Sequence, residues 1–163
     1  MGTRCNIIVK VKKEDIGRVV KFNTRKLPLK KLGWSQYGEA NKREFSKPIT
    51  LEKNYIGIYC HWDGYPDGVG KVLLEKFNDY EKALNLVSGG WCSSVDFDGV
   101  RHYANRNGEE WEEIKPSQTD EPSIVCGWTE YAYVFQDGEW YYGKVIWHDD
   151  GKDTIGKLKP LEF

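Results

Sequence analysis

Five residues able to carry or move charge crowd one short stretch, YIGIYCHWDGYPDGVGK: His61, Asp63, Tyr65, Asp67 and Lys71. His61 and Asp63 stand two apart. On a strand that spacing puts both side chains on one face, as a pair of metal ligands or a general base and its orienting carboxylate would need. Gly68, Gly70 and Lys71 fall where a helix would start, and a helix start offers backbone N–H groups and a positive dipole end to an anion. Trp62, Tyr65 and Trp91 supply flat rings nearby, and Arg4 and Lys71 supply positive charge for a phosphate. Stacking on such rings contributes roughly 1–3 kcal/mol per base in single-strand binders. Each of these residues also has a plain structural use. Asp and Gly make turns and Asp caps helices, aromatic rings fill cores, and a histidine satisfies bonds within a fold.

Several chemistries are set aside by spacing. GYPDGVGK is not a phosphate-binding P-loop, because five residues separate Gly64 from Gly70 where four are needed. Val72 also stands where a Ser or Thr would hold magnesium. The Asp149–Asp153 run lacks the terminal Glu of a calcium loop. There is no G-x-S-x-G, and no cysteine lies in an activated context. His102 and His148 can join His61 in a metal site only through tertiary folding. No cofactor is expected and no metal ligand is assigned.

The elements that must position these residues follow from the periodicity. Ile56, Ile58, Cys60 and Trp62 alternate as in a strand, Asp63-Gly64 and Pro66-Asp67-Gly68 break it, and Val69, Val72, Leu73 and Phe77 take up helical spacing. Asp67 is read as the N-cap of that helix and Asp79 as the cap of a second one ended by Gly89-Gly90. Cys5–Val11 alternates as another strand, which would bring Arg4 near the central turn if it pairs with residues 55–62. WTEYAYVF, QDGE and WYYGKVIW form the strongest hairpin signal, turning on Asp137-Gly138. A second hairpin is expected around 97–111, on Asp98-Gly99 and Asn107-Gly108. The fold class expected is α+β: one domain over 1–163 with an antiparallel sheet from the 5–11, 55–62, 128–135 and 139–147 segments. The helices at 68–77 and 80–87 pack on one face, and a basic insertion covers about 12–53.

Charge is unevenly placed. Residues 1–53 hold fourteen Lys/Arg against five Asp/Glu, and the remainder ten against twenty. The halves can complement each other within one fold or between copies in a homo-oligomer. The basic run Lys21, Arg25, Lys26, Lys30 and Lys31 carries few aromatics beyond Phe22 and Trp34, so nucleic acid is a weaker expectation than a small anion. Four cysteines without a C-x-x-C pair, and no apolar run long enough to span a bilayer, point to a reducing cytoplasm and no membrane partner.

The N-terminal MGTR-x-N-I and the central Y-x-H-W-D-G-Y-P-x-G-V-G-K-x-L-L-E resemble a group of small proteins from phages and other mobile elements. The resemblance covers the first eight residues and about forty in the centre. It implies a mobile-element origin and a role in a phage's dealings with its host cell. Together these observations lead us to expect a non-enzymatic protein that holds a small anionic ligand, such as a nucleotide, at the His61–Lys71 turn and so sequesters a host-defence signal. Two alternatives stand beside it. One is a hydrolase using His61 and Asp63, with or without a metal; the other is a blocker of a host protein or nucleic acid through the basic 10–31 region.

Overall fold

The computed structural model describes residues 3–29, 46–105 and 110–163. The basic residues Lys30 and Lys31, Trp34, and the Asn107-Gly108 turn lie outside these. Strands β1 (Cys5–Lys10), β2 (Val19–Val20), β3 (Ile49–Thr50) and β4 (Tyr55–Cys60) lead into a π-helical turn (Pro66–Gly70). Helices α1 (Lys71–Lys76) and α2 (Tyr80–Ser88) follow, then β5 (Cys92–Val95), β6 (Val100–His102), α3 (Trp111–Ile114) and β7 (Ser117–Thr119). Strands β8 (Tyr131–Gln136), β9 (Glu139–Ile146), β10 (Thr154–Ile155) and β11 (Lys159–Pro160) complete the chain.

The fold is α+β, with a main sheet in the order β10-β9-β8-β1-β4-β5-β6. The central pair β1–β4 is antiparallel with Cys5 opposite Cys60, so Arg4 does arrive beside the central turn. Most pairings are antiparallel, but two are parallel: β1 with β8, and β4 with β5. The second follows from chain geometry, since a strand that leaves through two helices returns in the same direction. The β8–β9 hairpin forms as its sequence predicts. Asp137 (φ 52°) and Gly138 (φ 81°) both take the left-handed conformation that matches strand twist. The other hairpin lies earlier than expected, at 92–102, where Asp96 N–H donates to Gly99 O at 2.9 Å. Residues 92–95 are buried despite their polar Ser93-Ser94, and Cys92 pairs with Cys60 of β4.

Both helices pack on the sheet face carrying Cys5, Ile7, Val9, Ile58 and Cys60, burying Leu73, Phe77, Leu84 and Val87 against it. Burial of each such side chain stabilises by roughly 1.5–3 kcal/mol. Asp79 caps α2 as expected, accepting from Lys82 N–H at 2.8 Å. Asp67 does not cap the first helix: Tyr65 holds that place and Pro66 enters at the first helical position, where its fixed φ fits and its missing N–H costs nothing.

Asn6, Ile8, Tyr59 and Ala132 point to the opposite face, and they too are buried. Asn6 ties down the segment that covers them. Its Oδ1 accepts from Val125 and Cys126 N–H at 3.0 and 3.2 Å, and its Nδ2 donates to Thr129 Oγ1 at 2.8 Å.

Cys5, Cys60 and Cys92 lie side by side across three strands, fully buried and not joined by a disulfide. Burial raises the Cys5 and Cys92 thiols well above their usual range. Native protein should therefore show at most one thiol, the half-buried Cys126, to Ellman's reagent, and all four after denaturation. A second thiol reacting quickly in the native state would show that this part of the core opens.

Candidate functional site

Strand β4 runs past Cys60 while its neighbour still supports it: His61 and Trp62 N–H donate to Cys92 O (3.1 Å) and Ser93 O (2.9 Å). Asp63, at φ 58°, then swings the chain off the sheet. The turn that follows is pressed onto its own sheet. Gly64 N–H donates to Thr3 O at 2.7 Å, and Gly64 O accepts from the buried Tyr133 hydroxyl at 2.7 Å. Gly68 N–H donates to Tyr65 O (2.9 Å) and Val69 N–H to Asp63 O (2.8 Å).

The glycines serve this close packing. A Cβ on Gly64 would sit 2.8 Å from Cys5 Cβ, on Gly68 2.3 Å from Asp63 O, and on Gly70 3.0 Å from the Tyr133 ring. Two amides at the helix start, those of Gly68 and Val69, thus already donate inside the turn. Gly68 and Gly70 make room for the protein's own atoms. Lys71 is exposed at the start of α1, on the helix-bearing side.

A different set converges across the sheet. Tyr59 Oη and His61 Nδ1 are hydrogen-bonded at 2.7 Å. Trp62 stands edge-on to His61, ring centres 4.5 Å apart at 88°, and is 44% exposed. Arg4 is near enough that its charge acts on Tyr59, His61 and Cys126. Its backbone N–H donates to Glu130 at 2.7 Å; the residue is half-buried, and its guanidinium has no hydrogen-bond or ion-pair partner among the described residues. Desolvation, helped by Arg4, lowers the His61 pKa, so the ring is neutral at pH 7. Burial raises the Tyr59 phenol, against the pull of Arg4. Trp91 lies behind Tyr59, ring centres 5.1 Å apart, with its indole N–H buried and unpartnered.

His61 and Asp63 do not form a pair. The left-handed turn at Asp63 breaks the strand alternation that would align them, and Tyr59 takes the place beside His61 Nδ1. His102 is buried against Leu86 O (2.9 Å) and His148 sits on an exposed turn beside Thr154 (3.0 Å), so the histidines are separate. Among the described residues no three His, Cys, Asp or Glu side chains converge as metal ligands do. Tyr65, 41% exposed, walls a groove of about 440 Å³ with Thr3, Tyr131, Lys144 and Trp147.

Neither family models, curated proteins nor solved structures match this chain. Among the described residues no helix is long and apolar enough to cross a membrane. The sequence reading missed Tyr59 as the partner of His61, although the period of two that joined His61 to Asp63 joins it equally to Tyr59. It also passed over Trp128, Lys144 and Trp147, which reach the same end of the sheet from the C-terminal hairpin.

Proposed function

We propose that this protein is a non-enzymatic binder of a small anionic, nucleotide-like ligand, held where Arg4, His61 and Trp62 meet at the end of β4. The observation that carries the proposal is the half-buried residue Arg4, its guanidinium without a partner among the described residues, beside a neutral histidine and an exposed indole. An unpaired charge in partial burial is costly, and an arriving phosphate relieves that cost with charge-assisted hydrogen bonds. In the tautomer in which Nδ1 accepts from Tyr59, the His61 proton sits on Nε2 as a further donor. Trp62 offers its face to a base. Trp91 braces Tyr59 from behind. A histidine tied to a phenol rather than to a carboxylate is a poor general base, which favours binding over catalysis. In a mobile-element setting, such a binder acts by sequestering a nucleotide signal of host defence.

Calorimetric titration with ADP-ribose and with a cyclic dinucleotide tests the proposal. Loss of one charge-assisted contact costs about 1.5–3 kcal/mol, so Arg4→Ala should weaken binding roughly 10- to 100-fold. Lys71→Ala, across the sheet, should change it little. The nucleotide should be recovered chemically unchanged after long incubation; its conversion would make the protein an enzyme instead. Equal affinities in wild type and Arg4→Ala would remove the site from this corner.

A second reading, a blocker of an acidic host macromolecule, draws on a cavity of about 690 Å³ beside β2 and α2 lined by Arg18, Lys21, Lys26 and Lys82. Arg18 is already paired there with Glu81 at 3.0 Å, which reduces the charge on offer. Salt-sensitive capture of a macromolecule, undisturbed by Arg4→Ala, is the signature of that reading.

A further inference from the structure

Beyond the anion site, a further cavity, of about 370 Å³, opens among Trp128, Trp147, His148, Asp149 and Asp153. From it we infer a binding site for a quaternary ammonium group, walled by Trp128 and Trp147 and neutralised by Asp149 and Asp153. The two indoles have centres 6.0 Å apart and an interplanar angle of 61°, so they form a corner rather than a parallel slot. A corner of that kind does not hold a flat ring between faces, but a compact cation can lie within about 6 Å of both ring centres. The carboxylates fix the sign of the charge, and they disfavour a nucleotide phosphate here.

The corner is held in place at a cost. Trp128 is 74% exposed and sits at φ 62°, the left-handed region that a bulky residue rarely adopts. Its neighbours impose that geometry. Trp147 Nε1–H donates to Thr129 O at 2.7 Å, and the Thr129 hydroxyl donates to Cys126 O at 3.2 Å while accepting from Asn6. Trp147 is 54% exposed, so two large rings are kept in water by a buried network. Such strain, with costly exposure, is a common mark of a site. Asp153 Oδ1 accepts from His148 N–H at 3.3 Å. Its Oδ2 is the nearest atom, at 3.8 Å, to the position a Gly127 side chain would take, so the cavity wall at Gly127 is open.

Tryptophan fluorescence of the full chain, titrated with tetramethylammonium chloride against sodium chloride at matched ionic strength, tests the inference. A saturable change specific to tetramethylammonium is expected, weakened at least about tenfold by Trp128→Ala, which removes one wall. Gly127→Leu, which fills the cavity while leaving both tryptophans in the chain, should weaken it similarly, and Asp153→Asn should weaken it several-fold. Choline and a short peptide bearing trimethyl-lysine distinguish the source of the cation. Tighter binding of choline assigns a small molecule, and tighter binding of the peptide assigns a modified protein. Identical responses to tetramethylammonium and sodium, or equal binding by Trp128→Ala and Gly127→Leu and the wild type, would overturn the inference.

Discussion

Gly68→Ala is expected to destabilise the protein by about 3 kcal/mol or more, towards the severe end of single substitutions. The new methyl would lie 2.3 Å from Asp63 O and 3.1 Å from the Tyr65 ring. The first of these is backbone and cannot swing away as a side chain would. Asp63 O is also engaged with Val69 N–H at 2.8 Å, and Asp63 is itself held at φ 58°. Relief therefore requires moving the whole turn, which is fixed in turn to Thr3 and Tyr133. In a chain of this size the melting temperature should drop by roughly 6–12 °C. Gly138→Ala is the matched control. It lies at φ 81° with nothing within 4 Å of a new Cβ, so it should lose only about 1 kcal/mol through backbone strain. A Gly68→Ala protein as stable as wild type would show that the turn has room. The helix start would then regain its claim as an anion cradle.

Acid should destabilise the fold through His102. This ring is fully buried against Phe22, centres 4.4 Å apart, and its Nε2–H donates to Leu86 O. Burial lowers its pKa to about 4, partly offset by the Leu86 bond, from an ordinary value of 6.5. Below pH 6.5 the unfolded chain takes up a proton that the folded ring refuses, so stability falls with pH. The contribution is fully present above pH 6.5 and lost as pH drops towards 4, a change of up to about 3 kcal/mol. Urea unfolding across this window should show it, and His102→Gln, which keeps a donor but does not titrate, should flatten the profile. Parallel profiles for the two proteins would assign the acid sensitivity elsewhere.

What was legible in the sequence was local. The Asp137-Gly138 hairpin carried its turn chemistry and alternation within sixteen residues. Asp79 announced α2 because capping is a short-range bond, and β1 and β4 were each legible as a clean alternation, though their pairing was not. The return of β5 beside β4 was not visible, since polar Ser93 and Ser94 give no strand periodicity although both are buried. The covering of the second face was equally hidden. It depends on one side chain, Asn6, bonding to a segment about 120 residues away, and no periodicity encodes such a contact. Glycine was ambiguous for a physical reason: the absence of a Cβ serves a ligand and a neighbouring backbone equally well. GYPDGVG therefore reads as a cradle, while its glycines are packed against Cys5, Asp63 and Tyr133. The partner of His61 was not legible, because alternation allows either neighbour and only the left-handed turn at Asp63 decides between them.

The side of the sheet on which a ligand sits is open to direct observation by following the imidazole nitrogens of 15N-histidine-labelled protein by NMR during titration with ADP-ribose and a cyclic dinucleotide. The His61 signals should move in a saturable way with at least one of these, while those of buried His102 and of His148 stay in place. Silence at His61 with both probes, or a ligand-dependent shift confined to the other two histidines, would contradict the proposed site.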